Sequence, residues 1–489
     1  MRLRRTSEEA MSTVLWPDRM NPTDALFWRM DKIPEMRSTI GALLVLERPP
    51  ARERIYDDYI RIGANLPRMR QRVVEVPIGL APPEWVDDPQ FDLDYHLRYV
   101  AVPAPGGMEE LLAELGPFYA TALDPDRPLW EAYVANGLLD GRGAIFMKVH
   151  HCLIDGVGGS RLFEELLGAR TESRNPPALP PARERSTSAA ALLWRALGYN
   201  AEEAIKAGAI AARALATAAS RPAATLNDVR TWLRTAAGFG QELMVPRADS
   251  PLHQRRSLSR RLSTFDMSLR EIDAARVPLD ATNNDIVLTI VSGAMHRWHT
   301  SRGADVHELR ALVPVSLRAT SEGEAGNRLA LLAVSLPIGE PNPLRRLRTI
   351  QERMGRVKSD HRGNLYPLLA RAMVAIPQAI AEQIGHQQMS RTNFVCTNVP
   401  GPRQACFLAG ERIERMYPYA PLVGDHPVAI ALYSYRDVVC VGLDVDSLAM
   451  DDVPHFVDAL RESYAEVVAM SHDPARPALR RRRMTRASA

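Results

Sequence analysis

The stretch FMKVHHCLIDGVGGS, residues 146–160, joins an apolar run to a cluster of polar residues and glycines. His150 and His151 stand at the end of the run, and Asp155 follows four residues after the second histidine. Three glycines then fall within four positions. The pattern raises the question of whether the histidines pack the interior or take part in chemistry.

The residues on either side of this stretch predict its local structure. GAIFMKVHH, residues 143–151, is suited to a strand, and SRLFEELLGA, residues 160–169, repeats apolar residues at helical spacing. Further strands are predicted for TIGALLVLE, residues 39–47, and VVCVGLDVD, residues 438–446. NNDIVLTIVSGAMHRWH, residues 283–299, is predicted to be a helix that starts at a capping-type Asn or Asp. This mixture of elements predicts an α/β fold.

The length of the chain predicts more than one lobe, because 489 residues exceed one ordinary core. Residues 169–188 are rich in proline, serine and charge, which is typical of an exposed linker. An alanine-rich stretch follows and is interpreted as a surface helical connection between the lobes, with an interfacial, membrane-touching helix as the alternative. The predicted divisions are a first lobe over residues 1–168, a connection over 169–259, a second lobe over 260–472 and a basic disordered tail over 473–489.

Composition and charge exclude several classes of protein. The formal net charge of +3 and the absence of an aromatic-and-basic signature give no reason to expect a nucleic-acid partner. No apolar signal-type region opens the chain, and no run approaches about 18 uncharged apolar residues, so neither secretion nor a membrane span is expected. The four cysteines form no CxxC pair and are interpreted as reduced thiols in the cytoplasm: Cys152, Cys396, Cys406 and Cys440.

Three interpretations of the histidine pair compete. A histidine at a strand end can simply satisfy a backbone carbonyl, and His151 with Asp155 could be two metal ligands, although no third ligand lies nearby. The third interpretation is general base catalysis, because imidazole titrates near pH 6.5 and can accept a proton from a hydroxyl. The chain has no G-x-S-x-G elbow, which agrees with a mechanism that needs no serine nucleophile. The glycines suit either a ligand approach or tight helix packing.

The histidine pair carries a resemblance to a known superfamily. The residues HHxxxDG, from His150 to Gly156, match the signature of the acyltransferases that resemble chloramphenicol acetyltransferase and peptide synthetase condensation domains. Six further blocks together resemble the bacterial wax ester synthase and diacylglycerol acyltransferase family. In chain order they are FDLDYHLRYVAVPAPGG (91–107), RPLWEAYV (127–134), NNDIVLTIVSGAMHRW (283–298), VPVSLR (313–318), GNRLALLAVSLP (326–337) and TNVPGP (397–402).

The resemblance implies a fold and a set of roles. It implies two chloramphenicol-acetyltransferase-like lobes with mixed sheets and an active-site tunnel between them. His151 would be the general base and His150 its supporting neighbour, while Asp155 would organise the loop and Gly156 would belong to that loop. Asn284 is the candidate for a polar substrate contact. No cofactor is implied, because the acyl group arrives on acyl-coenzyme A as a co-substrate, and no metal is expected, because no third ligand lies near His151 and Asp155.

The resemblance also implies an activity and its partners. We expect acyl transfer to diacylglycerol, giving triacylglycerol, and to long-chain alcohols, giving wax esters. The alternatives are a condensation-type enzyme with a carrier-protein donor and a non-catalytic lipid-droplet-binding homologue. A cytoplasmic location, peripheral to the inner membrane or lipid droplets, is expected, and the oligomeric state stays open. The chain departs from the family at His253, where the family commonly has asparagine, and Trp130 in the PLW block is interpreted as a core aromatic.

Overall fold

The computed structural model describes residues 16–153, 177–221, 230, 247–317, 328–359 and 378–471. Labels run in chain order through these residues. The helices are α1 (Pro22–Met30), α2 (Arg52–Asn65), α3 (Leu93–His96), α4 (Met108–Ala120), α5 (Ala189–Ser220), α6 (Leu269–Arg276), α7 (Asn283–Thr300), α8 (Pro343–Ser359), α9 (Gln378–Met389) and α10 (Val453–Ser471). Short 3-10 turns lie at Pro34–Met36, Pro67–Arg70, Pro77–Gly79 and His151–Leu153.

In the described parts of the chain, the strands form two six-stranded sheets and one small antiparallel pair. They are β1 (Thr39–Leu46), β2 (Gln71–Val74), β3 (Glu84–Asp87), β4 (Leu97–Ala101), β5 (Trp130–Asn136), β6 (Gly143–His150), β7 (Arg260–Ser268), β8 (Leu309–Leu317), β9 (Arg328–Leu336), β10 (Phe394–Val399), β11 (Phe407–Leu408), β12 (Glu411–Tyr419), β13 (Val428–Tyr435) and β14 (Val438–Asp446). The first sheet has the order β11-β12-β1-β6-β5-β4 and the second has β7-β14-β13-β10-β8-β9, while β2 pairs with β3.

Both large sheets are mixed. In the first, β4 and β5 run parallel and the other neighbours pair antiparallel. In the second, β10 runs parallel to both β8 and β13. Every residue of β6 is buried, because β1 and β5 cover its edges and apolar layers cover both of its faces. The expected α/β fold with mixed sheets is confirmed.

Sheet membership crosses the predicted lobe boundary at residue 260. Strands β11 and β12 come from the second half of the chain, yet β12 pairs with β1 in the first sheet, with Leu43 opposite Tyr417. Ile413 and Met416 of β12 are buried in the core of the first sheet. The short-range pattern of this segment predicts a strand but does not indicate which sheet it joins, so the exchange is a tertiary feature.

Close contacts between main chains hold the two sheets together. A Cβ at Gly442 of β14 would lie 1.8 Å from the carbonyl oxygen of Pro418 in β12, and one at Gly116 of α4 would lie 2.8 Å from the carbonyl of Arg260. Glycine permits this approach because it has no side chain. The phenol of Tyr119, in the same helix α4, donates to the carbonyl of Thr39 at 2.8 Å.

Most of the predicted elements that fall on described residues are present. The predicted strands correspond to β1, β6 and β14, and the alanine-rich stretch forms the single helix α5. The cap of α7 differs from the prediction: Thr282 is the N-cap, and Asp285 closes a capping box with it. Threonine takes this place because its hydroxyl accepts the N–H of Asp285 while its own N–H donates back to the carboxylate. The predicted helix over residues 160–169 lies outside the described residues.

Candidate active site

The two adjacent histidines occupy different positions. His150 is the last residue of β6 and pairs with Thr39 of β1, which leaves 1% of its surface exposed. The chain then leaves the sheet in the 3-10 turn at His151–Leu153. The N–H of His151 donates to the carbonyl of Ser38 at 3.0 Å, and His151 is partly exposed. Because the strand ends between them, the His150 ring is buried at the end of β6 and the His151 residue is partly exposed.

Both ring nitrogens of His150 have close contacts with protein atoms. The N–H of Cys152 donates to Nδ1 at 3.1 Å, and the Cys152 Sγ lies 2.9 Å from the same nitrogen. Nε2 lies 3.2 Å from Oδ1 of Asp31. A backbone N–H can only donate, so Nδ1 is the acceptor and the ring proton is assigned to Nε2, facing the carboxylate. This arrangement leaves His150 no nitrogen with which to accept a proton from a substrate.

The charges around His150 follow from these contacts. Burial acts to raise the pKa of Asp31, but the contact with His150 and the N–H of Ser38 outweigh it and hold the pKa below its ordinary value. Burial raises the pKa of the Cys152 thiol well above its usual range. Asp31 is therefore ionised at neutral pH, and Cys152 remains a thiol rather than a nucleophilic thiolate.

Helix α1 provides the residue that covers His151. The ring of Phe27 stacks on the His151 imidazole, with 4.4 Å between ring centroids and 30° between planes. The helix begins where the side chain of Asn21 accepts the N–H of Asp24 at 2.9 Å. It ends at Asp31, the C-cap, four residues after Phe27. Residues at this spacing share a helix face, so α1 brings both side chains to the histidine pair.

Sequence reasoning identified neither Phe27 nor Asp31. The only available signal is the spacing of four in FWRMD, residues 27–31, which places an aromatic ring and an acid on one helix face. That spacing occurs in many surface helices and does not indicate what the face contacts. The contacts with His150 and His151 depend on how α1 packs against the end of β6.

Asn284 lies at a cavity beside the second sheet. The cavity has a volume of about 310 Å³ and opens at the first turn of α7. Its described lining residues are Leu269, Ile272, Thr282, Asn283, Asn284, Val287, Asn398, Pro400, Ser434 and Val439. His151 is not among them, so the structure does not bring the expected base and the expected polar contact together in this cavity.

The remaining part of the expected motif lies outside the described residues. This applies to Asp155 and Gly156, and to the glycines Gly158 and Gly159. The structural role of Asp155 and the loop role of Gly156 stay predictions. Of the HHxxxDG motif, the two histidines and Cys152 and Leu153 after them are described.

Within the described ranges, no group of three or more His, Cys, Asp or Glu side chains is arranged to hold a metal ion. The four cysteines are buried free thiols, as the sequence predicted. None of the described helices is both long enough and apolar enough to span a membrane.

Two other residues singled out in the sequence have packing roles. Trp130 is 1% exposed, stacks on His96 with 4.5 Å between centroids, and donates from Nε1 to the Met69 carbonyl at 2.8 Å. Its interpretation as a core aromatic is confirmed. His253 accepts at Nε2 from the Asn393 amide at 2.7 Å, and burial lowers its pKa to about 4. His253, where the chain departs from the family, therefore makes a hydrogen bond with Asn393 and is not one of the residues that line the cavity.

Two family models match the chain. Residues 20–287 match the wax ester synthase/diacylglycerol acyltransferase catalytic domain. Residues 325–467 match the C-terminal domain of the same family. The first match covers more than half of the chain and contains both histidines, α1 and Asn284.

Curated relatives align along nearly the whole chain. A putative diacylglycerol O-acyltransferase of Mycobacterium tuberculosis, Rv2484c, is 29% identical over 465 residues, covering 94% of this chain and 93% of the relative. The probable diacylglycerol O-acyltransferase tgs1 of the same organism is 30% identical over 456 residues, covering 91% of this chain and 93% of the relative.

Solved structures show the same fold. The wax ester synthase/diacylglycerol acyltransferase from Marinobacter aquaeolei VT8 superposes with a TM-score of 0.63 at 24% identity, covering 93% of this chain and 99% of that chain. The first condensation domain of the calcium-dependent antibiotic synthetase superposes with a TM-score of 0.57 at 16% identity, covering 94% and 96%. The chain therefore shares the fold of these acyltransferase and condensation domains.

Proposed function

Because this chain belongs to the wax ester synthase/diacylglycerol acyltransferase family and is an acyltransferase of that family, we propose that it moves a long-chain acyl group from acyl-coenzyme A to diacylglycerol. Long-chain alcohols are a second class of acceptor, which would give wax esters. His151 is the general base, and neither a metal nor a further cofactor takes part. The names of the relatives support the acceptor, and the surroundings of the two histidines support the base.

The observation that carries the assignment of the base is the difference between the two rings. His150 is buried, and its nitrogens contact Cys152 and Asp31. His151 is partly exposed at the end of the strand, where a substrate can approach it. A general base must come within hydrogen-bond reach of the proton that it removes, and of the pair only His151 is partly exposed to an approaching substrate.

The proposed reaction transfers the acyl group directly. His151 takes the proton of the acceptor hydroxyl while the hydroxyl oxygen bonds to the thioester carbonyl carbon. The tetrahedral intermediate then breaks its C–S bond, and the coenzyme A sulfur leaves with the proton held by the imidazolium. The products are an ester and free coenzyme A, and no acyl-enzyme forms. Asn284, which lines the cavity at the first turn of α7, is proposed as a polar contact to substrate.

Purified protein tests this proposal when palmitoyl-coenzyme A is supplied with dioleoylglycerol or with hexadecanol. Free thiol should appear together with triacylglycerol or wax ester, and His151→Ala should lower the rate of both by about 10²- to 10⁴-fold. His307→Ala is the matched control, because the His307 side chain is 78% exposed and outside the site. Full activity in the His151 variant would exclude the mechanism. Turnover with acyl-carrier protein and none with acyl-coenzyme A would favour the condensation-type alternative.

The outer face of α5 supports the proposal that the enzyme works at a lipid surface, where its acceptors dissolve. At about 100° per residue, four exposed apolar side chains of this helix fall within an arc of about 80°. The buried residues Leu192 and Ala196 lie on the opposite side, and the charged residues of α5 lie outside the arc. The four are Trp194 (78% exposed), Leu197 (54%), Ile205 (73%) and Leu215 (72%).

A pair of substitutions on α5 tests the lipid contact. Trp194→Ser with Ile205→Ser should remove about 2 kcal/mol of apolar transfer free energy and weaken partitioning roughly 30-fold. Co-sedimentation with vesicles of phosphatidylcholine and anionic lipid, and flotation with triolein emulsion, measure that partitioning. Leu139→Ser is the control, because Leu139 is 76% exposed in the turn between β5 and β6. Equal partitioning of all three proteins would contradict the assignment of α5.

A further inference from the structure

The carboxylate of Asp31 contacts His150 directly and is linked to the main chain of His151 through Ser38. Its Oδ1 lies 3.2 Å from Nε2 of His150, and the same oxygen accepts the N–H of Ser38 at 2.9 Å. The carbonyl of Ser38 in turn accepts the N–H of His151 at 3.0 Å. One carboxylate therefore holds the orientation of the His150 ring directly. It holds the position of the His151 main chain through Ser38.

The arrangement also determines which tautomer His150 adopts. The N–H of Cys152 is a fixed donor to Nδ1, so the ring must carry its proton on Nε2. An acceptor opposite Nε2 is needed, and Asp31 is the group that lies there. If the ring rotated away, the N–H of Cys152 would lose its acceptor inside the 3-10 turn that begins at His151. The position of the turn therefore depends on the contact between Asp31 and His150.

Helix stability does not account for an acid at this position. Asp31 is the C-cap of α1, and a negative charge at a helix C-terminus is repelled by the helix dipole. The carboxylate is compensated by its contacts outside the helix, with His150 and Ser38. The same helix end carries Phe27, which stacks on the His151 ring. The end of α1 therefore contacts the proposed base in two ways. Phe27 stacks on the His151 ring, and Asp31 is linked to the His151 main chain through Ser38.

We propose that Asp31 is a positioning residue for acyl transfer, which orients the His151 imidazole through His150, Ser38 and the end of α1. This inference rests on the proposed role of His151 as the base. Asp31 contacts neither substrate in the reaction. Asp31 acts through the position of its acceptor oxygen and not through its charge. An asparagine keeps an oxygen that can accept from Ser38 and His150, so it should preserve the orientation of both histidines.

Steady-state kinetics on Asp31→Ala and Asp31→Asn, in the full-length protein, test the proposal. Asp31→Ala should lower kcat about 100-fold, the scale expected when a reacting group is displaced by about 1 Å, while KM for palmitoyl-coenzyme A and dioleoylglycerol stays within about twofold. Asp31→Asn should recover kcat to within about fivefold of the parent, because it keeps the acceptor oxygen.

Asp88→Ala provides a control for loss of an acid that makes both a main-chain hydrogen bond and a side-chain ion contact, as Asp31 does. Asp88 directly follows β3, accepts the N–H of Gln90 at 2.9 Å and pairs with Arg127 at 3.5 Å. It should lower the unfolding temperature and leave kcat per folded molecule near that of the parent. Parental kcat in Asp31→Ala, or equal loss in Asp31→Asn and Asp31→Ala, would overturn the proposal. Full activity of His151→Ala would instead overturn the proposed function, independently of Asp31.

Discussion

Replacing each of the two adjacent histidines by alanine should separate stability from activity. His150→Ala removes the acceptor of the Cys152 N–H and the partner of the Asp31 carboxylate, whose side chain is only 22% exposed. The unpaired Cys152 N–H costs about 1–3 kcal/mol, and losing the His150 contact costs the charged Asp31, which keeps the N–H of Ser38, about 1.5–3 kcal/mol more. The expected loss in the free energy of unfolding is therefore about 3–5 kcal/mol.

The neighbouring variant should behave in the opposite way. His151→Ala removes a partly exposed ring that stacks on Phe27, and an aromatic pair of this kind contributes about 0.5–1.5 kcal/mol. The hydrogen bond from its backbone to Ser38 is retained. We expect a loss of about 1 kcal/mol in stability, together with a fall in kcat of about 10²- to 10⁴-fold from the missing base.

Both quantities can be measured on the same preparations. Urea unfolding followed by tryptophan fluorescence gives the free energy of unfolding, and release of coenzyme A below the unfolding transition gives kcat for the folded fraction. His150→Ala should be the less stable protein and His151→Ala the less active one. If the two variants were equally destabilised, or if His150→Ala lost more kcat per folded molecule than His151→Ala, the assignment of the two rings would be refuted.

Two further predictions concern the scaffold. Gly442→Ala should lower the free energy of unfolding by about 3 kcal/mol or more, because its Cβ would meet the Pro418 oxygen at 1.8 Å and force β14 away from β12. Thermal unfolding measures this loss, with Gly208→Ala as the control because nothing lies within 4 Å of a Cβ at that position. Equal unfolding temperatures for the two variants would contradict the prediction. Burial lowers the pKa of His426 to about 3, whereas an unfolded histidine titrates near 6.5. Between about pH 6.5 and 3 this histidine therefore binds a proton in the unfolded chain but not in the folded one. The folded protein loses stability as the pH falls through that range. His426→Asn should reduce the slope of unfolding free energy against pH by up to about 1.4 kcal/mol per unit in urea titrations, and an unchanged slope would exclude the assignment.

Local patterns predicted individual elements of the fold well. The β-branched and leucine-rich run at residues 39–47 forms β1, and the period-two run at residues 438–446 forms β14. These segments depend on residues that are neighbours in sequence, which is the information that periodicity contains. The insertion of β12 beside β1 depends on pairing between distant segments, as in Leu43 with Tyr417, and no local pattern specifies it.

The capping of α7 shows the same limit on a smaller scale. The sequence predicted a helix beginning at a capping-type Asn or Asp, and the helix is present, but Thr282 is the residue that caps it. Thr, Asn and Asp side chains can all accept the N–H groups of a first turn. Which one does so depends on the backbone conformation at the helix entry, where Thr282 is extended and Asp285 lies inside the first turn.

The sequence by itself determined that the histidine pair is the candidate site, because the HHxxxDG spacing and the six accompanying blocks are properties of the linear chain. Only the tertiary structure decided that the two histidines differ. The end of β6 buries His150 against Asp31 and Cys152 and turns His151 out beside Phe27. The physical reason is that α1 lies far from the motif in sequence and meets it only when the chain folds, so the partners that set tautomer, burial and orientation are absent from any local pattern.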